Sequence, residues 1–172
     1  AKMAVPDEGI YRGLDDLDKM KVAPEVVKAH WNQRAKRPGL LAVDSIRRTE
    51  EEVEKATKEL KATIFEFLSG LVDDATVFEL GVGIGRMTEA LAERAKEVVG
   101  NDFSSKMLDR AKQNLHDRDN VTLHLGEIND MNYPDKSFDL VFASTVLIHI
   151  LGDEELKKTA EKMMKMSDWV FI

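Results

Sequence analysis

Cysteine is absent from the 172 residues. Its absence excludes disulfides, thiolate zinc sites, iron–sulfur clusters and a cysteine nucleophile, and it suits a reducing compartment. Long apolar runs are lacking too. The longest, residues 138–151, is interrupted by Asp139, Ser144, Thr145 and His149. It is too short and too polar to span a bilayer. Residues 1–12 carry no apolar core of the signal-peptide kind, so a cytoplasmic protein is the expectation. Positive charge is not in surplus. Lys and Arg number 25 against 32 Asp and Glu, a net charge of −7, which disfavours broad nucleic-acid binding. His116 and His124 have no partner at metal-ligand spacing, and no metal is expected.

What is there reads as a folded chain. Apolar residues at 43% and charged residues at 33% fit a soluble globular domain and not a disordered segment. The length suits one domain with a short extension. Residues 1–46 form a polar lead-in punctuated by Pro6, Pro24 and Pro38, and residues 47–172 hold the regular pattern. In the lead-in, Pro24 suits a first helical turn, and Val27 and Trp31 lie one turn apart. A short helix over residues 24–36 is predicted. Thr49 and Glu52 have capping-box spacing. They open a helix whose stripe is Val53, Ala56, Leu60, Ile64, Phe67 and Leu71.

From residue 76 onward strand and helix patterns alternate. Strands are predicted at 76–80, 97–101, 121–125, 138–143 and 168–172. Helices are predicted through Met87, Leu91 and Ala95, through Met107, Leu108, Ala111 and Leu115 behind a Ser104 cap, and over residues 153–166 with Leu156, Ala160 and Met163 inward. Met163, Met164 and Met166 read as core filling. The alternation implies a doubly wound, mainly parallel α/β sheet with helices on both faces. Ligands then sit beyond the C-terminal ends of the strands, so the loops after Leu80, Asn101, Leu125 and Ala143 carry the interest.

The first of those loops is the strongest signal. Glu79 precedes Gly81, Gly83 and Gly85. Glycine at every second position lets the backbone take positive φ and lets a ligand approach closely. The helix start behind it offers free N–H groups to an anionic group. A dinucleotide fingerprint would need a glycine where Arg86 stands, and a Walker loop would need Gly-Lys-Ser/Thr. The spacing here resembles motif I of the class I S-adenosylmethionine-dependent methyltransferases, of the small-molecule type, whose fold is Rossmann-like.

The later loops are similar to that family's. The resemblance implies that Asp102, ending the run Val98-Val99-Gly100-Asn101-Asp102, accepts the ribose hydroxyls, and that Phe103 packs on adenine. Asp102 also follows Gly81 by 21 residues, which suits a dinucleotide site equally, and an acid there can simply sit at a helix start. Glu127 stands where the family usually has aspartate. It would accept from the adenine amino group, with the Ile128 N–H on a ring nitrogen. The carbonyls of Ala143 and Ser144 would accept from the cofactor's ammonium. His149 matches the second histidine of a family Val-Leu-His-His run and is the candidate general base, or else a residue of the pocket wall. Residues 1–46 would form a helical lid, with Tyr11, His30 and Trp31 near the substrate, or with Trp31 only anchoring its helix. Arg34, Lys36 and Arg37 form a basic stripe that is either solvated or faces an acidic substrate.

The reading implied is methyl transfer from S-adenosylmethionine to an O, N or C atom of a small molecule, with S-adenosylhomocysteine as product. The family sheet usually has seven strands, whereas the pattern here ends at the fifth, Trp169-Val170-Phe171-Ile172. The expectation is a fragment, or an open edge that associates with a second copy. A non-catalytic cofactor-binding scaffold and an NAD-dependent oxidoreductase are the competing readings.

Overall fold

The computed structural model describes residues 24–44, 48–150 and 152–172. Helix α1 spans Pro24–Arg34 and leads through a 3-10 turn at Gly39–Ala42. Helix α2 spans Glu50–Phe67. Its capping box is present: the Glu52 N–H donates to Thr49 Oγ1 at 3.3 Å, and the Thr49 N–H donates to the Glu52 carboxylate at 2.8 Å. A box of this kind contributes about 1 kcal/mol.

The alternating part follows as β1 (Thr76–Leu80), α3 (Arg86–Ala92), β2 (Glu97–Asp102), α4 (Ser105–Asn114), β3 (Val121–Leu125), β4 (Leu140–Ala143), α5 (Asp153–Met166) and β5 (Val170–Phe171). The five strands form one parallel sheet in the order β3-β2-β1-β4-β5. Val77 pairs with Val98 on one side and with Leu140 on the other. The central strand β1 is therefore where the order reverses, and the crevice at its C-terminal end is the ligand position of such sheets.

The period-two alternation of β1 divides the core. Val77 packs with Ile64, Leu68, Leu91, Val98 and Phe142 beneath α2 and α3. Leu108 and Ala111 of α4, with Leu115 just after it, join that side through Val121. Phe78 and Leu80 face the other way, onto Val99, Val141, Met163 and Met166 under α5. Among the described residues no helix is long and apolar enough to cross a membrane.

Several details depart from the periodicity. Phe67 is 75% exposed. The buried stripe of α2 runs Val53, Thr57, Ile64 and on to Leu68, so Phe67 falls on its flank, 6.0 Å from the ring of Phe171. In α5 the inward positions are Thr159, Met163 and Met166, while Leu156 and Met164 are exposed. Alternate methionines cannot all face one side of a helix. The expected boundary at residues 46 and 47 falls on the segment 45–47, outside the described residues, as does Tyr11.

Gly100 shows how closely sheet and loop approach. A Cβ there would lie 2.3 Å from Val82 Cγ1. Gly100→Ala should therefore cost about 1–3 kcal/mol by overpacking, read as a lowered urea midpoint. An unchanged midpoint would mean that Val82 turns aside without strain.

Candidate ligand site

The crevice is built by three loops meeting above β1. Gly81, Gly83 and Gly85 have φ of 70°, 56° and 86°, the left-handed region that disfavours any side chain. Space demands glycine as well. A Cβ on Gly81 would lie 2.5 Å from Val146 Cγ2, and one on Gly85 would lie 2.8 Å from Leu115 Cδ1. The loop after β1 is thus pressed against the loop after β4 on one side and against α4 on the other.

Asp102 fastens this loop to the next. Its Oδ2 accepts from the Gly83 N–H at 2.8 Å, and its Oδ1 accepts from the Ser104 N–H at 2.8 Å. Each carboxylate oxygen keeps a further acceptor site. Burial raises the Asp102 pKa, while the Ser104 and Gly83 donors oppose that rise. Ser104 in turn caps α4 by accepting from the Met107 N–H, and its hydroxyl donates to Asn32 Oδ1 at 2.7 Å. Asn32 belongs to α1, so the covering helix is tied to the start of α4. Arg110 strengthens the joint by donating to the carbonyls of Ala35, Arg37 and Gly39.

The cavity measures about 360 Å³. Gly81, Gly83, Asp102 and Phe103 line one side. Glu127, Ile128 and Ser144 line another. Trp31, Val27 and Pro24 of α1 close it, and His149 borders it too. Gly85 is set back as the residue before α3. Ala143 is the buried last residue of β4, beneath Ser144. His30 does not reach the cavity. It is buried behind Trp31, with ring centroids 5.7 Å apart.

Two buried groups set the electrostatics. Glu79 is 3% exposed, and its Oε2 has no hydrogen-bond partner among the described residues. Burial pushes its carboxyl up to about 7, and the nearby Asp102 charge adds to the rise, against the pull of Thr88 and Arg86. His149 lies in a 3-10 turn at Leu147–His149, with its ring 4.8 Å from that of Trp31. Burial, then His30 and Arg34, lower it to about 4. The near-neutral value of a free histidine is not kept, because a second positive charge beside Arg34 in a desolvated wall is unfavourable. At pH 7 this imidazole is neutral and a weak base.

Sequence reading missed Asn101, Asn129, Glu155 and Thr159, which also border the cavity. Asn129 donates to both Glu155 and Thr159 across two separate segments, and no local spacing signals such a pairing.

Residues 77–167 match a family model described as a methyltransferase domain. The chain is 32% identical over 119 residues to phosphoethanolamine N-methyltransferase 3 of Arabidopsis thaliana, covering 66% of this chain and 24% of that protein. It is thus similar to relatives of which it spans about a quarter of the length. Among solved structures, phosphoethanolamine N-methyltransferase 1 of Haemonchus contortus, in complex with phosphoethanolamine and S-adenosylhomocysteine, superposes with a TM-score of 0.73 at 23% identity. That match covers 90% of this chain and 31% of the other. Magnesium protoporphyrin IX methyltransferase of Synechocystis, with S-adenosylmethionine bound, gives a TM-score of 0.68 at 20% identity over 93% and 76% of the two chains. These superpositions establish a shared fold.

The raised Glu79 pKa has a measurable consequence. Between pH 4.5 and 7 the folded chain holds a proton at Glu79 that the unfolded chain has released. Stability from this group is therefore greatest at low pH and falls as pH rises through that window. Glu79→Gln removes the effect. The variant's stability relative to the parent should grow from near zero difference at pH 4 to as much as about 3 kcal/mol at pH 8, measured by urea unfolding at both values. A difference independent of pH would show that Glu79 ionises normally.

Proposed function

This chain belongs to the methyltransferase-domain family, and we propose that it binds S-adenosylmethionine at the head of β1 and methylates the nitrogen of a small molecule. The observation that carries the reading is the Asp102 carboxylate, held by the Gly83 and Ser104 N–H groups at the cavity wall. An acid fixed this way has one acceptor site left on each oxygen, suited to a vicinal diol. The glycines leave room for a ligand against the backbone. The buried Glu79 Oε2, without a partner among the described residues, suits an ammonium group. In this reading the Ala143 and Ser144 carbonyls share that ammonium, and Glu127 and Ile128 hold the adenine with Phe103 on its face.

When bound, the cofactor supplies an activated methyl group that is transferred by in-line displacement. The residues here align and exclude water. Trp31 and Val27 of α1 border the cavity, and this supports reading residues 1–46, of which 24–44 are described, as a lid on a cofactor-binding unit of residues 47–172. The depressed His149 pKa argues for a wall residue that guides the acceptor and against a strong base. A nitrogen acceptor that arrives neutral needs no strong base, and N-methyltransferases among the relatives support that choice. The net charge of −7 supports a small-molecule acceptor over a nucleic acid, and a cytoplasmic setting belongs to the same proposal.

Calorimetric titration with S-adenosylhomocysteine, and with NAD in parallel, tests the reading. One-to-one micromolar binding of the first alone is expected, weakened at least tenfold by Asp102→Ala. Binding of NAD alone would favour an oxidoreductase, and no binding of either would favour a scaffold. His149→Ala should leave S-adenosylhomocysteine affinity within about twofold while raising the acceptor KM. A tenfold loss of cofactor affinity would contradict the wall role.

A further inference from the structure

A second cavity, of about 470 Å³, lies beside the first. Trp31, Val43, Arg86, Thr145 and His149 border both, so only a wall one side chain thick divides them. Their charges are opposite. Among the described residues the first is bordered by the carboxyl groups of Glu79, Asp102, Glu127 and Glu155, with Arg86 as its one guanidinium. The second is bordered by Arg34, Arg48 and Arg86, with Asp44 as its one carboxylate.

The three arginines come from separate parts of the chain and are held differently. Arg34 is anchored by Nε on the Ala42 carbonyl at 3.2 Å and by Nη2 on the carbonyls of Leu41 and Asp44. Neutral carbonyls fix its position without cancelling its charge. Arg86 donates to Thr57 Oγ1 at 3.3 Å and lies 3.9 Å from Asp44 Oδ2, with 11% of its side chain exposed. Arg48 meets Asp44 at 3.3 Å with 49% of its side chain exposed. Asp44 acts on all three guanidinium groups, meeting Arg48 and Arg86 and raising Arg34 by its charge, and among the described residues one carboxylate faces three guanidinium groups on this wall. Burial leads the shifts of the groups around it, and neighbouring positive charge adds to them. Arg34 is lowered by burial and then by Arg37, against the pull of Asp44. His149 is held neutral in part by Arg34. His30, behind Trp31, is lowered by burial and by Arg34.

We propose that the second cavity is the acceptor's anion subsite, where Arg34, Arg48 and Arg86 take a phosphate or carboxylate while the amine reaches past Trp31 and His149 toward the first. The acceptor class is then a small amine bearing an acidic group. Arginine suits this task because its planar donors pair with two oxygens at once. The carboxylates of the first cavity repel the acidic end and so set the acceptor's direction. This inference rests on the cofactor reading above.

The test loads the full chain with S-adenosylhomocysteine, confirms that step by its own heat, and then titrates inorganic phosphate and, separately, acetate. Saturable millimolar binding of either anion is expected; phosphate alone points to a phosphorylated amine, and acetate as well points to any acidic group. Arg48→Glu should weaken anion binding at least tenfold and leave S-adenosylhomocysteine affinity within twofold. Arg48→Lys, which keeps the charge, should weaken the anion less than Arg48→Glu does. Cofactor heat with no anion heat, or anion binding indifferent to Arg48→Glu, overturns the anion subsite alone. Absence of cofactor heat overturns the cofactor reading and, with it, the assignment of this cavity to an acceptor.

Discussion

The carboxylate of Asp102 is the constraint on which the upper end of this molecule depends. It sits at the last position of β2 and bonds the Gly83 and Ser104 N–H groups, both at 2.8 Å. One side chain thereby sets the distance between the glycine loop and the start of α4. The geometry beneath makes the arrangement possible. β1 and β2 are parallel and in register through Leu80 and Asn101, so their following loops leave the sheet at the same height. Parallel pairing with short loops brings polar backbone groups together at one edge, and a buried acid is an economical way to satisfy them.

The cover over the crevice follows from the same joint. Ser104 accepts from the α4 backbone and donates to Asn32 of α1. The cap of one helix is therefore also the dock of another. Trp31 is carried into place by this docking and becomes the partition between a carboxylate-rich cavity and an arginine-rich one. Burial then keeps the neighbouring imidazole of His149 neutral. A neutral ring in the partition avoids placing a further positive charge beside Arg34 in a low-dielectric wall.

Much of this was legible in the sequence where the signal is local. β1, β3 and α5 begin and end where apolar alternation and turn residues put them. Thr49 with Glu52, and Ser104 alone, announced their caps by residue type. The three glycines and Asp102 were identifiable because loop chemistry restricts residue choice strongly. The convergence of Arg34, Arg48 and Arg86 was not, since it depends on how α1 and α2 lie against α3. Of the basic stripe at residues 34–37, only Arg34 reaches the second cavity. The depressed His149 pKa was equally invisible, because desolvation is a property of the packed state. Phe67 misled for a related reason: helical spacing locates a stripe to within one flank, and packing against the sheet selects the exact file of residues.

The three carbonyls gathered by Arg110 have a kinetic meaning. Residues Ala35, Arg37 and Gly39 accept from a single guanidinium. When that side chain leaves, the three bonds are lost together, and the segment after α1 is left tied to α4 only through Asn32 among the bonds described above. Opening here is cooperative where the same bonds spread over three side chains would allow gradual fraying. In isotope-exchange terms, the segment 35–39 is expected to open as one unit when the Arg110 side chain leaves.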